Sequence, residues 1–140
     1  MRVILVGGLA VVVGGCVQTN AAVLNPTVVF SRSCPEAVVV YTTPDRVKAE
    51  YVEIALLNSS GDASMTTESA MINSQQKKAA EVGANGLILG GINEPGAGAK
   101  LAASILGTTT ERKGKAVAIW IPADSAKTVD ICNEVARRKR

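Results

Sequence analysis

The sequence predicts an α+β fold, a small two-layer sandwich of about four mixed strands with a central βαβ helix and a C-terminal helix. Three observations lead to this prediction. A helix signal passes directly into an apolar strand over residues 66–92, β-branched segments precede it, and a further strand and helix follow it. A chain of 140 residues suits one domain, which we assign to residues 36–140.

The central helix is predicted from periodicity. At 100° per residue, its apolar face carries Met71, Ile72, Gln75, Ala79, Val82 and Gly83. Thr66 or Thr67 can cap the first turn, and Gly83 can adopt the left-handed conformation that ends the last turn. Residues 86–89, GLIL, are apolar on both faces, as is typical of a covered strand. The unit therefore predicts a helix packed on a sheet.

Two strands are predicted before this helix. The β-branched run VVVYTT, which ends at Pro44, predicts the first. Residues 50–57 alternate, so that Val52, Ile54 and Leu56 share one face of the second, and the polar residues 58–62 are expected to end it. Because a strand, a helix and a strand follow one another, the strands on either side of the helix are expected to be parallel and joined by a right-handed crossover.

The last part of the chain predicts one more strand and one more helix. Residues 115–121 alternate and stop at Pro122, as expected for a strand. The helix that follows is expected to pack through residues that recur at helical spacing, namely Ala126, Val129, Cys132 and Ala136.

The first residues have the features of a secretory signal. Arg2 supplies a positive start, and residues 3–13 form an apolar run that is shorter than the roughly 20 residues of a transmembrane helix. The run ends in Val13-Gly14-Gly15-Cys16, which resembles the lipobox of bacterial lipoproteins. That resemblance implies cleavage before Cys16, so residues 1–15 are expected to be a signal peptide.

In a lipoprotein the cysteine of the lipobox carries acyl chains. We therefore expect Cys16 to be acylated and to label with palmitate, and residues 16–35 to form a tether. The alternative is that Cys16 is a plain thiol after a secretory signal. Val17 follows the cysteine, and in proteobacterial lipoproteins a residue other than Asp there implies the outer membrane. The expected location is the cell envelope, with the domain in the periplasm, where nucleic acid is not a partner.

Cys34 and Cys132 are the other two cysteines. In an oxidising compartment, two otherwise idle thiols of a secreted domain usually pair. A disulfide between them is therefore predicted, and the alternative is one buried and one exposed thiol.

The composition argues against an enzyme and against a bound cofactor. The chain contains no histidine, which excludes Ser-His and Cys-His nucleophiles and removes the commonest metal ligand. The carboxylates lie in polar turns or on wet faces, where nothing would raise a pKa for acid–base work. Gly96-Ala-Gly98-Ala-Lys100 resembles part of a dinucleotide-binding loop, but Leu101 stands where the third glycine would be.

Residues 93–114 form a connection far longer than usual, which indicates a function or disorder. It carries apolar side chains with no obvious place in the sheet, and exposed apolar groups are costly unless something covers them. We predict a working surface there, with Lys100, Leu101, Ile105 and Leu106 as partner-binding residues. The alternative is a short helix at residues 97–106 that folds onto the free face of the sheet as ordinary core.

The segment KKAAEVGANGLILG, preceded by the strand EYVEIALL, resembles the RcsF-like lipoproteins and the related YbjQ-like domains over residues 37–92. The shared pattern is a helix that ends in Gly-Ala-Asn before an apolar strand, here Ala80-Glu-Val-Gly-Ala-Asn85. RcsF-like proteins are outer-membrane sensors of envelope damage with four paired cysteines, where this domain has two. The YbjQ-like resemblance implies that homo-oligomers can form.

The resulting expectation is a non-enzymatic envelope lipoprotein that acts as sensor, adaptor or assembly factor by binding another envelope protein. The alternative is a module that binds a small ligand or a lipid, with residues 93–114 as its lid. A cavity under that segment would favour the ligand, whereas an exposed segment would favour a partner.

Overall fold

A computed structural model describes residues 16–93, 95–108 and 110–140. Over these residues the chain is an α+β domain with a five-stranded mixed sheet and three α-helices, so the predicted fold class is confirmed with one strand more than expected. The predicted signal peptide, residues 1–15, lies outside the described residues.

The strands are β1 (Gln18–Val23), β2 (Val39–Tyr41), β3 (Val52–Asp62), β4 (Gly86–Asn93) and β5 (Glu111–Trp120). The α-helices are α1 (Glu68–Glu81), α2 (Ala97–Leu106) and α3 (Ser125–Arg138). The strand order is β1-β3-β5-β4-β2, in which β2 and β4 are parallel and the other neighbours are antiparallel.

The strands that flank α1 are parallel, as predicted, but they do not pair with each other. β5 lies between β3 and β4 and pairs antiparallel with both. This one strand thereby satisfies backbone groups of both neighbours. The parallel partner of β4 is instead the short edge strand β2.

The predicted tether at residues 16–35 contains the edge strand β1. It pairs antiparallel with β3 from Gln18 opposite Ser60 to Val23 opposite Ala55. Its sequence, QTNAAV, has little β-propensity. The strand is held by main-chain pairing, by a 2.7 Å hydrogen bond between the Thr19 and Ser74 hydroxyls, and by Ala21, which packs against the core. Only Val17 separates Cys16 from this strand, which means that the folded domain begins almost at the cysteine.

β3 continues through the residues that were expected to end it, and it contains an irregularity. The pairing with β5 shifts register between Glu53 and Ala55. A bulge of this kind moves the following side chains to the opposite face. Leu56, expected to share the face of Ile54, is therefore 43% exposed, whereas Leu57 is buried.

α1 agrees with its prediction at both ends. The Thr67 side chain accepts a hydrogen bond from the Ala70 N–H, and Met71, Gln75, Ala79 and Ala80 are buried. The helix is followed by Gly83 at φ +89°, where a Cβ atom would lie 2.5 Å from the Cβ of Phe30. Only glycine fits this turn on both counts.

The sheet buries side chains on both faces. The α1 side holds the larger cluster, which includes Leu57, Ala79, Leu87 and Ala118. The other face buries Ile88, Ile119 and Ile121, against which Tyr41 and Tyr51 pack.

α3 uses a different face from the one predicted. Val129 is 57% exposed and Ala126 and Ala136 are also exposed, whereas Thr128 is buried and Ile131, Cys132 and Val135 are half-buried. The reason is that α3 does not lie across the sheet. It packs beside the single turn Pro35–Ala37, through Cys132, and beside Asn85, through Thr128.

Candidate functional site

The register of the strands defines two ends of the sheet. Gln18 pairs with Ser60, Ser60 pairs with Lys113, and Lys113 pairs with Asn93. At this end β1 and β5 begin and β3 and β4 finish, and we call it the anchor end because Cys16 lies two residues before β1. At the opposite end, the far end, Val23 of β1 pairs with Ala55, the first residue of β3 after the bulge, and Val52 pairs with Trp120.

Cys16 is an exposed, free thiol, whereas Cys34 and Cys132 form a disulfide with a Cα–Cα separation of 5.5 Å. The predicted pairing is confirmed. The predicted acylation of Cys16 stays a prediction.

α2 occupies most of the long connection and lies at the anchor end, because it joins the end of β4 to the start of β5. It follows Gly96 and is closed by Gly107 at φ +67°. Its large apolar side chains are exposed, Leu101 by 64%, Ile105 by 76% and Leu106 by 75%. The helix is therefore present, but the alternative that it folds back as ordinary core is wrong, since only Ala103 is buried.

The two sides of α2 are reversed relative to a usual surface helix. Its inner side, formed by Lys100, Ala103 and Ser104, faces the turn Asp62-Ala63-Ser64 across an open depression of about 390 Å³. At 100° per residue, Leu101 and Ile105 lie on the outer side. A usual surface helix turns its apolar stripe to the core. α2 instead exposes its apolar stripe to solvent. That Lys100, Leu101, Ile105 and Leu106 bind a partner stays a prediction.

A second apolar surface lies at the far end. Val23, Val28, Phe30, Val52, Ile54 and Val82 line a groove of about 80 Å³, which continues into a depression beside Pro26 and Val29. We call the exposed members of this region, Val23, Leu24, Val28, Val29 and Val52, the far-end surface. They are between 45% and 91% exposed. The far-end surface was not predicted from the sequence, because residues 16–35 were assigned to a tether. The apolar triplet Val28-Val29-Phe30 is the local feature that indicates this surface.

The loop that carries the far-end surface is held firmly. The Phe30 ring packs against Trp120 with 6.1 Å between ring centroids. The Ser33 N–H donates to the Ala80 carbonyl over 3.0 Å. Val29 nonetheless remains 91% exposed. Its side chain is presented to solvent by a loop that is fixed to the core.

Asn85, from the Gly-Ala-Asn motif, has a structural role at the far end. Its buried side chain accepts from the Ile121 N–H over 2.7 Å and donates to the Ile121 carbonyl over 2.9 Å. The same amide lies 3.3 Å from the Thr128 hydroxyl. Asn85 thus joins the start of β4 to the segment that leads into α3.

Tyr41 is a titratable side chain whose surroundings shift its pKa. Burial, and after it the charge of Asp124, raises the pKa of Tyr41 from its ordinary value of 10.0, so the phenol is neutral at pH 7. Within residues 16–93, 95–108 and 110–140, no group of three or more acidic or cysteine side chains is placed to hold a metal ion. In the same part of the chain, none of the helices is both long enough and apolar enough to cross a bilayer.

Comparison with known proteins gives one structural similarity. No protein-family model matches the chain, and no curated protein sequence matches it. A crystal structure of the Francisella virulence factor FvfA is similar in fold, with a TM-score of 0.51 and 13% sequence identity. The similarity covers 73% of this chain and 96% of the FvfA chain. At this identity the likeness concerns the fold alone.

Proposed function

We propose that this protein is a non-enzymatic lipoprotein of the cell envelope, anchored through acylated Cys16 in the outer membrane, that acts as sensor, adaptor or assembly factor by binding another envelope protein. The lipobox-like Val13-Gly14-Gly15-Cys16 supports the anchor. The exposure of Cys16 supports it too, because an acylated side chain must leave the domain.

The observation that carries the protein-binding role is the far-end surface. β3 runs from Val52 at the far end to Asp62 at the anchor end, and at 3.4 Å per residue this spans roughly 34 Å. We place the strands upright on the bilayer that holds Cys16, so that Val28 and Val29 lie on the side of the domain away from it. A contiguous apolar surface that faces away from the membrane is typical of a protein interface.

The anchor is tested by changing its cysteine. Wild-type protein should partition into detergent, label with palmitate and lose residues 1–15, whereas Cys16→Ser should remain soluble or unprocessed. Equal release of both proteins into the aqueous phase would contradict the anchor.

The partner role is tested by photo-crosslinking in intact cells from a photoreactive residue at position 29. A discrete crosslinked protein band is expected, and Val28→Asp in the same chain should abolish it, because a buried charge opposes an apolar contact. The matched control is position 77 on the exposed side of α1. Identical patterns from positions 29 and 77 would contradict a specific partner at the far end.

The runner-up function is a small-ligand module with α2 as its lid. The depression beneath α2 favours it, since polar side chains, among them Asp62, Ser64, Lys100 and Ser104, line it beside apolar surface. It therefore suits a small ligand that has both polar and apolar groups.

A further inference from the structure

We propose that α2 is a membrane-contacting helix, whose outer apolar side lies in the interfacial region of an anionic bilayer next to acylated Cys16. This inference rests on the lipid anchor of the proposed function. It assigns Leu101, Ile105 and Leu106 to the membrane, and it leaves the far-end surface for the protein partner.

The anchor lies close to the end of the sheet that carries α2. Cys16 is two residues from Gln18, which corresponds to about 7 Å along an extended chain. Gln18 is separated from Lys113 by two strand spacings, which is about 10 Å. Because β1 replaces the expected tether, acyl chains on Cys16 bring the bilayer directly against the sheet end that carries α2.

The distribution of polar and apolar side chains on α2 fits a membrane contact. A helix that lies in the membrane interface turns an apolar side to the acyl boundary and a polar side away from it. α2 meets this description with respect to the outside of the domain, since Leu101 and Ile105 face outward while Lys100 and Ser104 face the turn at Asp62. The exposure of Ile105, 76%, is thus accounted for by burial in lipid.

The positive charges near α2 fit an anionic membrane. Lys113 and Lys115 are exposed on β5, at the same end of the sheet. The Lys113 ammonium lies 3.8 Å from the Glu111 carboxylate, and both side chains are largely exposed. Exposed lysines near a membrane surface are attracted to anionic headgroups. They reinforce the apolar contact of α2 without a dedicated headgroup site.

The test uses tryptophan fluorescence in membranes. Mature acylated protein carrying Ile105→Trp is reconstituted into phosphatidylethanolamine–phosphatidylglycerol vesicles, with or without brominated acyl chains that quench indole on contact. Val29→Trp, at a far-end position that is even more exposed than Ile105, is the matched control, and the wild type supplies the signal of Trp120. Both changes are at exposed positions, and an unchanged melting temperature confirms that each variant is folded.

The expected result is that brominated lipid quenches the added fluorescence of Ile105→Trp at least about twofold more than that of Val29→Trp. Vesicle-bound Ile105→Trp that is quenched no more than Val29→Trp would overturn the proposal. A discrete protein crosslink from position 105 in intact cells would overturn it as well, since it would assign α2 to a protein partner.

Failure of the anchor can be separated from failure of this inference. If mass spectrometry finds Cys16 without acyl chains, the proposed anchor is wrong. The same two variants, made as residues 16–140, are then coupled through the Cys16 thiol to a maleimide lipid in the vesicles. Quenching of Ile105→Trp alone would still support α2 as the membrane-contacting element, and equal quenching would overturn it.

Discussion

The far end and the anchor end both expose apolar side chains, but the domain holds them in different ways. At the far end the Cys34–Cys132 disulfide ties a loop to α3, and the Asn85 hydrogen bonds and the Phe30–Trp120 contact tie loops to the sheet. At the anchor end, α2 contributes only Ala103 to the buried residues. The far-end surface is therefore a fixed part of the core's outer layer, whereas α2 is an appendage to it.

This difference suggests two kinds of occupant. A rigid surface loses little conformational entropy on binding and suits a protein of complementary shape. A helix that contacts its own domain weakly can settle into an interface that has no fixed shape, such as a bilayer. Substitutions at the two ends should accordingly differ sharply in their effect on the free energy of unfolding.

The largest effect is expected from the disulfide. Replacing Cys34 and Cys132 together by Ser opens a loop of 98 residues in sequence, for which the chain-entropy model gives about 4.7 kcal/mol. Denaturant unfolding of unacylated protein made as residues 16–140 measures it. Cys16→Ser in the same protein is the control, and it should leave the free energy of unfolding unchanged because this thiol is exposed and unpaired. Equal unfolding midpoints for the double variant and the wild type would mean that the far end does not depend on its crosslink.

Asn85→Ala should have the next largest effect. It leaves the buried N–H and carbonyl of Ile121 without their partner, and each such loss costs about 1–3 kcal/mol, which gives roughly 2–6 kcal/mol in total, with a midpoint of about 4 kcal/mol. Asn58→Ala, at an exposed position of β3, is the matched control and should change stability by no more than about 0.5 kcal/mol. Similar losses for the two variants would remove the special role of the Gly-Ala-Asn motif.

The smallest effect is expected at α2. Replacing Leu101 and Ile105 together by Ser should change the free energy of unfolding by about 1 kcal/mol or less, because both side chains are already mostly exposed. Leu57→Ala, in the core at 1% exposure, should cost about 2–5 kcal/mol. A large fall in melting temperature for the double serine variant would show that α2 belongs to the core and would contradict its weak contact with the domain.

The sequence predicted correctly the features that are determined by residues within one element or by a few cysteines. Thr67, the periodic apolar residues and Gly83 specify α1 within the helix itself, and the disulfide followed from two otherwise idle cysteines. The α2 bounds were likewise present as the helical alternative for residues 97–106. In each case the decisive groups are close in sequence, or are few enough that one pairing remains.

What could not be read depends on distant pairing. β1 has little strand propensity and exists because β3 offers it a free edge. The face of Leu56 was misassigned because the bulge is defined by the register against β5, which is not visible within β3 itself. The far-end surface was missed for the same reason, since it forms only when β1 brings residues 24–30 beside β3.

The most direct test of the two-ended account is hydrogen–deuterium exchange of the mature acylated protein on phosphatidylethanolamine–phosphatidylglycerol vesicles, compared with soluble Cys16→Ser protein. The account predicts that bilayer attachment slows exchange in peptides that cover α2, Ala97–Leu106, and leaves peptides from residues 24–30 unchanged. Slowed exchange at residues 24–30, or none at α2 in protein that floats with the vesicles, would contradict it.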